Sequence, residues 1–212
     1  MTPISRPYTF EIATPPGWTQ VPTEGLDQDQ VFDWLSRISK FTDAGIPPAI
    51  ESIARLILER LNNETSEFGA YFLDIFNEEP GEPAYVVFAL LTLIPGSLQG
   101  EECPTIQELG DQVRSTYGDS LVSVREIRTE DGRECLSTSM IVTKSLGEGD
   151  DRLESQNLDL RVFVPLPEFD QIVSLLLVTP NIELEEDFRD LFETIASTMR
   201  FEAASEDAII PS

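Results

Sequence analysis

The densest group of potential metal ligands in the chain is a run of acidic side chains between positions 148 and 154. Glu148, Asp150, Asp151 and Glu154 lie in a segment with two glycines, and Ca²⁺ prefers clustered carboxylate oxygens as ligands. The spacing matches no EF-hand loop, because the alternating Asp or Asn positions and the terminal bidentate Glu are missing. Two interpretations remain open, a weak calcium site and a solvated loop that binds nothing.

The residue types available for catalysis are few. The 212 residues include no histidine, which removes Ser-His-Asp and Cys-His nucleophiles and His-ligated zinc. Cys103 follows two glutamates, whose charges raise the pKa of a thiol, and Cys135 lies on a predicted strand beside two serines. Because no phosphate-binding loop or dinucleotide fingerprint occurs, the sequence predicts a protein that is not an enzyme and uses no cofactor. A small hydrolase or isomerase that works with two carboxylates is the alternative.

The charge of the chain limits its possible partners. Fourteen Lys and Arg residues stand against 39 Asp and Glu residues, which gives a formal net charge of −25. Such a field repels phosphate backbones and anionic lipids, so we expect neither nucleic acid nor membrane as a partner. It favours a basic protein partner. The alternative is that the negative surface charge only keeps the protein soluble and has no specific partner.

Two aromatic residues are candidate interface positions. Phe163 alternates with Asp159 and Arg161 along a predicted strand, which places a large apolar ring on a polar face of the sheet. Trp18 follows a Pro-Pro-Gly turn at positions 15–17 and either covers one end of the core or contacts a partner. The sequence does not predict the oligomeric state.

The elements that position these residues follow from hydrophobic periodicity and turn signals. The order is β, α, α, β, β, α, four β, α, which predicts an α+β fold. We expect a single mostly antiparallel sheet of about six or seven strands with helices packed on it, similar to an α/β/α sandwich. No repeat or composition break divides the chain, so residues 1–202 form one predicted domain and residues 203–212 a flexible acidic tail. The predicted elements are a strand at 8–12, helices at 27–44, 47–61, 105–117 and 181–199, a β-hairpin at 70–94, and strands at 121–129, 133–144, 157–166 and 171–179.

The compartment is predicted from the ends and the apolar runs of the chain. The first residues lack the apolar run of a secretory signal, and the longest apolar run, at 84–94, has about half the length that a membrane span needs. We therefore expect a cytoplasmic protein. In that compartment its two cysteines stay reduced.

Both ends of the chain resemble PsbP-like and LpqN-like proteins. The first strand, Tyr8 to Ile12, and the turn Pro16-Gly17-Trp18 resemble the start of that group. The helix through Phe188, Phe192 and Ile195, which runs into Met199-Arg200-Phe201, resembles its end. The resemblance covers about 30 residues and implies a compact α/β/α sandwich around an antiparallel sheet, with a non-enzymatic role in binding or assembly. It assigns no binding residue.

The functional hypothesis from the sequence is a soluble, non-catalytic interaction protein, such as an adaptor, a chaperone-like protein or an assembly or secretion accessory factor. The missing catalytic residue types and the acidic composition both favour a protein partner that binds through an acidic surface.

Overall fold

The structure, a computed structural model, describes residues 7–20, 68–76, 85–97, 103–146 and 153–204. These residues form a seven-stranded sheet, a separate two-stranded sheet and two α-helices. The strands are β1 (Tyr8–Glu11), β2 (Thr19–Gln20), β3 (Phe68–Phe76), β4 (Tyr85–Ser97), β5 (Leu121–Arg128), β6 (Glu134–Leu146), β7 (Leu153–Leu166), β8 (Gln171–Thr179) and β9 (Arg200–Ala203), and the helices are α1 (Ile106–Tyr117) and α2 (Glu185–Ser197).

The large sheet has the order β2-β3-β4-β8-β7-β6-β5, and every neighbouring pair is antiparallel. The predicted α+β fold with one main antiparallel sheet is therefore confirmed. The pattern of β4 is apolar at successive positions and predicts a central strand, and β4 does lie inside the sheet, where Phe88, Leu90 and Leu91 are buried.

The two faces of the sheet carry different helices, because successive side chains of a strand point to opposite faces. On the first face, Leu160, Leu175 and Leu91 belong to the main core together with Phe188 and Phe192 of α2. On the opposite face, α1 packs through Leu109 and Val113 onto Leu136 and Phe163. We refer to these as the α2 face and the α1 face.

The first strand departs from the predicted single sheet. β1 pairs with β9 in a separate antiparallel sheet, while the short β2 forms the far edge of the large one. Aromatic packing accounts for the separation, since the buried Tyr8 ring lies 5.7 Å from Phe201 and 5.5 Å from Phe169. The β1–β9 pair thus contributes its aromatic side to the core of the α2 face.

A capping box starts α1 where the sequence predicts it. The Thr105 hydroxyl accepts a hydrogen bond from the Glu108 backbone at 3.2 Å, and the Glu108 carboxylate accepts one from the Thr105 backbone at 2.9 Å. These bonds hold the pKa of Glu108 below its ordinary value. The helix ends before Gly118, whose φ of 48° suits glycine.

The last helix begins later than the pattern predicts. A 3₁₀ turn, Ile182–Leu184, comes first, and α2 starts at Glu185 rather than near Asn181. Asn181 serves another purpose, because its buried side chain accepts a hydrogen bond from the Phe88 backbone at 3.0 Å and so ties the end of β8 to β4. At the other predicted boundary, β7 starts at Leu153 instead of Asn157.

Three further expectations lie outside the described residues. The predicted helices at 27–44 and 47–61 fall there, and so do residues 205–212 of the predicted tail 203–212, whose first residue, Ala203, belongs to β9. Within the described ranges, no helix is long and apolar enough to span a membrane.

Candidate functional site

Helix α1 lies on the sheet along a narrow line of contact, with a cavity on each side. Leu109 and Val113 are buried against Leu136, and the helix is in contact mainly with β6 and β5. Gly110 faces the sheet at this line: a Cβ atom there would lie 3.7 Å from Leu136 Cδ1. The arrangement leaves open space between α1 and the strands on its two sides.

The first cavity, which we call the β5 cleft, separates α1 from the edge strand β5 and encloses about 460 Å³. Apolar side chains line part of it, and charged side chains from both elements line the rest. The lining residues are Ile106, Gln107, Gly110, Asp111, Arg114, Val124, Arg125, Glu126 and Leu136. A cleft of this size beside an edge strand can receive a side chain from an extended segment that runs along the strand.

Strand β5 is the last strand of the sheet. Among the described strands it pairs with β6 alone, so one side of its backbone has no neighbouring strand there. Its register shifts between Leu121 and Ser123, which leaves Val122 as a bulge residue with 49% of its surface exposed. Beyond the bulge the strand carries Arg125, Glu126 and Arg128, all exposed.

The arginines at this edge are held by weak ion pairs. Arg114 contacts Asp111 at 3.2 Å, Arg128 contacts Glu134 at 2.7 Å, and Arg125 lies 4.0 Å from Glu193. Both side chains of the first two pairs are more than half exposed. Because solvent-exposed pairs contribute about 0 to 1 kcal/mol, these guanidinium groups can exchange partners at little cost.

The second cavity, which we call the α1 groove, lies on the opposite side of α1 and encloses about 370 Å³. Leu109, Val113 and Tyr117 form its helical wall, and Phe163 and Ile172 belong to its sheet side. Two small residues, Gly96 and Ser174, complete that side and leave room above the sheet.

The structure places the two predicted interface aromatics in different settings. Phe163 is partly buried, packs against the α1 cluster and lines the α1 groove. Trp18 packs against the main core, with its ring 6.1 Å from that of Phe72. Gly17, with a φ of 92°, forms the predicted turn before it. The fold therefore brings Phe163 to the α1 groove and Trp18 to the main core.

Of the four residues predicted to bind calcium, Glu154 alone lies within the described residues. Glu148, Asp150 and Asp151 lie outside the described residues. Glu154 belongs to β7, where its backbone pairs with Ser145 of β6. Across the described ranges, no group of three Cys, Asp or Glu side chains has a metal-binding arrangement.

Both cysteines are free thiols with raised pKa values. Burial raises the pKa of Cys135 to about 12, with a further contribution from Asp131, and its thiol donates to the Arg133 carbonyl oxygen at 3.7 Å. Burial also raises the pKa of Cys103, helped by Glu168 and Asp170. Both thiols are therefore weak nucleophiles at neutral pH.

Sequence reasoning missed the charged residues of β5 as candidates. Hydrophobic periodicity predicts that residues 121–128 form a strand, but it gives no information on the order of the strands in the sheet. The one available signal is the Arg125-Glu126 charge pair in the middle of the strand, which is typical of an exposed edge.

No protein-family model matches the chain, and no curated protein matches it either.

Proposed function

We propose that this protein is a non-catalytic interaction protein that binds an extended segment of a partner protein along strand β5. The observation that carries the proposal is the β5 cleft of about 460 Å³ directly beside an edge strand. In this mode of recognition, the strand's free backbone groups give affinity and an adjacent pocket selects a side chain.

The charges of β5 disfavour some registers in which it could pair with a second copy of this chain. An antiparallel pair of β5 strands centred on position 125 would set Arg125 opposite its own copy, and a pair centred on 126 would do the same for Glu126. Like charges directly opposite each other are destabilising. The exposed bulge at Val122 further restricts the registers in which β5 can pair with itself.

The net charge adds a long-range preference. A charge of −25 attracts basic proteins and accelerates their association at low ionic strength. At contact distance, the alternating signs of Arg125, Glu126 and Arg128 would fix the register of the bound segment. We therefore propose a partner that is basic overall and carries side chains of both signs in its bound segment.

The state of the titratable groups supports binding over catalysis. Both thiols have raised pKa values, and two carboxyl groups, Glu108 and Asp131, have lowered ones. A carboxylate hydrolase would need an acid whose pKa is raised. The two free thiols also support the proposed cytoplasmic location.

Affinity capture with a matched pair of variants tests the proposal. The tagged full chain is incubated with native extract at low and high salt, and bound proteins are quantified by mass spectrometry. Gln107→Trp fills the β5 cleft from an exposed helix position, while Gln112→Trp places the same ring on the other side of α1.

We expect a partner whose capture falls about tenfold with Gln107→Trp, as for loss of an interface hot spot, and stays unchanged with Gln112→Trp. Its capture should also weaken at high salt. The proposal is wrong if every captured protein binds Gln107→Trp and the unmodified chain equally.

A further inference from the structure

Arg161 is a cation on the α1 face, and no carboxylate of the described residues pairs with it. In the described part of the chain, no carboxylate lies within 4.0 Å of its guanidinium nitrogens, and its Nε atom is buried without a hydrogen-bond partner. A guanidinium group that has a buried nitrogen without a hydrogen-bond partner favours an anion beside it. Such a residue is unexpected on a central strand of a sheet.

The guanidinium group lies next to the α1 groove. Its carbon, Cζ, is 5.7 Å from the centre of the Phe163 ring, and Phe163 lines the groove. Arg161 and Phe163 are two positions apart on β7 and so share the α1 face. A ligand that stacked on Phe163 would therefore bring its polar end close to a cation.

The groove has a volume and an apolar lining that suit a small molecule. Its volume of about 370 Å³ lies in the usual range for ligand pockets, which is about 300 to 1,000 Å³. Leu109, Val113, Tyr117 and Ile172 supply apolar walls. Gly96 adds no side chain to the groove, and a larger residue is disfavoured there because a Cβ atom would lie 2.9 Å from the Ile172 carbonyl oxygen.

We propose that the α1 groove binds a small apolar molecule that carries one carboxylate, with the apolar part against Phe163 and the carboxylate on Arg161. The net charge of −25 opposes an anion at long range, but at physiological ionic strength that field decays within about 8 Å. At short range, the contact with Arg161 then determines whether the carboxylate binds. This site is on the other side of α1 from the β5 cleft and does not depend on the proposed partner.

Two fluorescent probes of similar size separate the apolar and the ionic contributions. 1-Anilinonaphthalene-8-sulfonate carries one anionic group in place of the carboxylate, and N-phenyl-1-naphthylamine is neutral. Both are titrated into the full chain at neutral pH and 0.15 M salt. The variants are Arg161→Gln, Arg161→Lys and Gln112→Trp, which fills the groove, with Gln107→Trp as the matched control on the opposite side of α1. Melting temperature is recorded for each to establish that it folds.

We expect saturable binding of the anionic probe that weakens about tenfold in Arg161→Gln, as for the loss of a charged hydrogen bond, and is partly restored in Arg161→Lys. The neutral probe should bind Arg161→Gln and the unmodified chain alike, and Gln112→Trp should weaken both probes. Because Arg161 forms no ion pair with the described residues, Arg161→Gln should melt no lower than the unmodified chain. Equal binding of the anionic probe to Arg161→Gln, or no binding of either probe to the folded protein, would overturn the proposal.

Discussion

Arg133 and Glu168 form an ion pair of 2.5 Å that joins two separate turns of the sheet. Arg133 follows the turn between β5 and β6, and Glu168 lies in the 3₁₀ turn between β7 and β8. The same guanidinium group contacts Asp131 at 2.9 Å and lies 5.8 Å from the centre of the Phe201 ring. One side chain thus connects the edge hairpin, the central hairpin and the β1–β9 pair.

We predict that this pair couples the two turns energetically. Arg133→Met and Glu168→Gln should each lower the free energy of unfolding, and the double variant should lose less than the sum. We expect a coupling of about 1 kcal/mol, at the upper end for pairs that solvent can reach, since 23% and 41% of the two side chains are exposed. Urea denaturation of the four proteins measures the cycle. If the two losses in free energy of unfolding were strictly additive, the predicted coupling between Arg133 and Glu168 would be wrong.

A second prediction concerns acid stability at the β5–β6 turn. Partial burial raises the pKa of Asp131, but hydrogen bonds from Thr129 and Arg133 outweigh it and hold the pKa below the ordinary value. Because the folded-state pKa is depressed, the carboxylate stabilises the fold above the unfolded value of about 3.9, and this contribution is lost as the pH falls through the folded value.

Asp131→Asn should therefore be less stable than the unmodified chain at pH 6, and the difference should shrink as the pH falls below about 4. Urea denaturation at a series of pH values between 6 and the acid limit of folding measures it. A stability difference that stays constant over the whole range would show that the Asp131 charge has no part in it.

The third prediction concerns the polar contact between α2 and β6. Glu185 accepts hydrogen bonds from Arg189 at 2.6 Å and from Ser139 at 3.0 Å, and both carboxylate and guanidinium are largely buried. Removing Arg189 leaves a buried carboxylate without its cation, so Arg189→Met should cost about 2 to 3 kcal/mol.

Arg114→Met on α1 is the matched control, because its pair with Asp111 is also within one helix but is exposed. It should cost less than about 0.5 kcal/mol. Replacing both Glu185 and Arg189 by Met should recover much of the loss. Equal costs for Arg189→Met and Arg114→Met would refute the assignment of a buried ionic contact.

Much of this architecture follows from the sequence, for reasons that individual elements show. The Thr105 and Glu108 spacing predicts the start of α1, and the doubly apolar pattern of β4 predicts its central place. Both are local or compositional signals. Strand order is not local, so the edge position of β5 and the separate pairing of β1 with β9 could not be predicted.

The candidate sites were less predictable still. Phe163 stands out in the sequence as an aromatic on a polar face, but the groove exists only because α1 packs beside it and Gly96 and Ser174 are small. Arg161 is a candidate because no described carboxylate contacts its guanidinium group. Only the tertiary structure shows this. The start of α2 was displaced because Asn181 bonds to β4, a contact across 93 positions.

The fourth prediction concerns thiol reactivity. Burial, Glu168 and Asp170 raise the pKa of Cys103, so iodoacetamide should modify it slowly at pH 8. Asp170→Asn removes one of the two charges and should accelerate the reaction; Asn also tolerates the φ of 55° at that position. Cys135, with a pKa of about 12, should react only after unfolding in urea. Rapid modification of Cys135 in the folded protein would contradict its buried position.

The most direct test of the proposed function is backbone hydrogen exchange of β5, residues 121–128, with and without the captured partner. In the free protein, the outward amides of this edge should exchange faster than those of the interior strand β8. When the partner binds, exchange in β5 should slow, and the slowing should be absent for Gln107→Trp mixed with the same partner. Protection confined to other strands, with β5 exchanging at its free rate in the complex, would contradict the account.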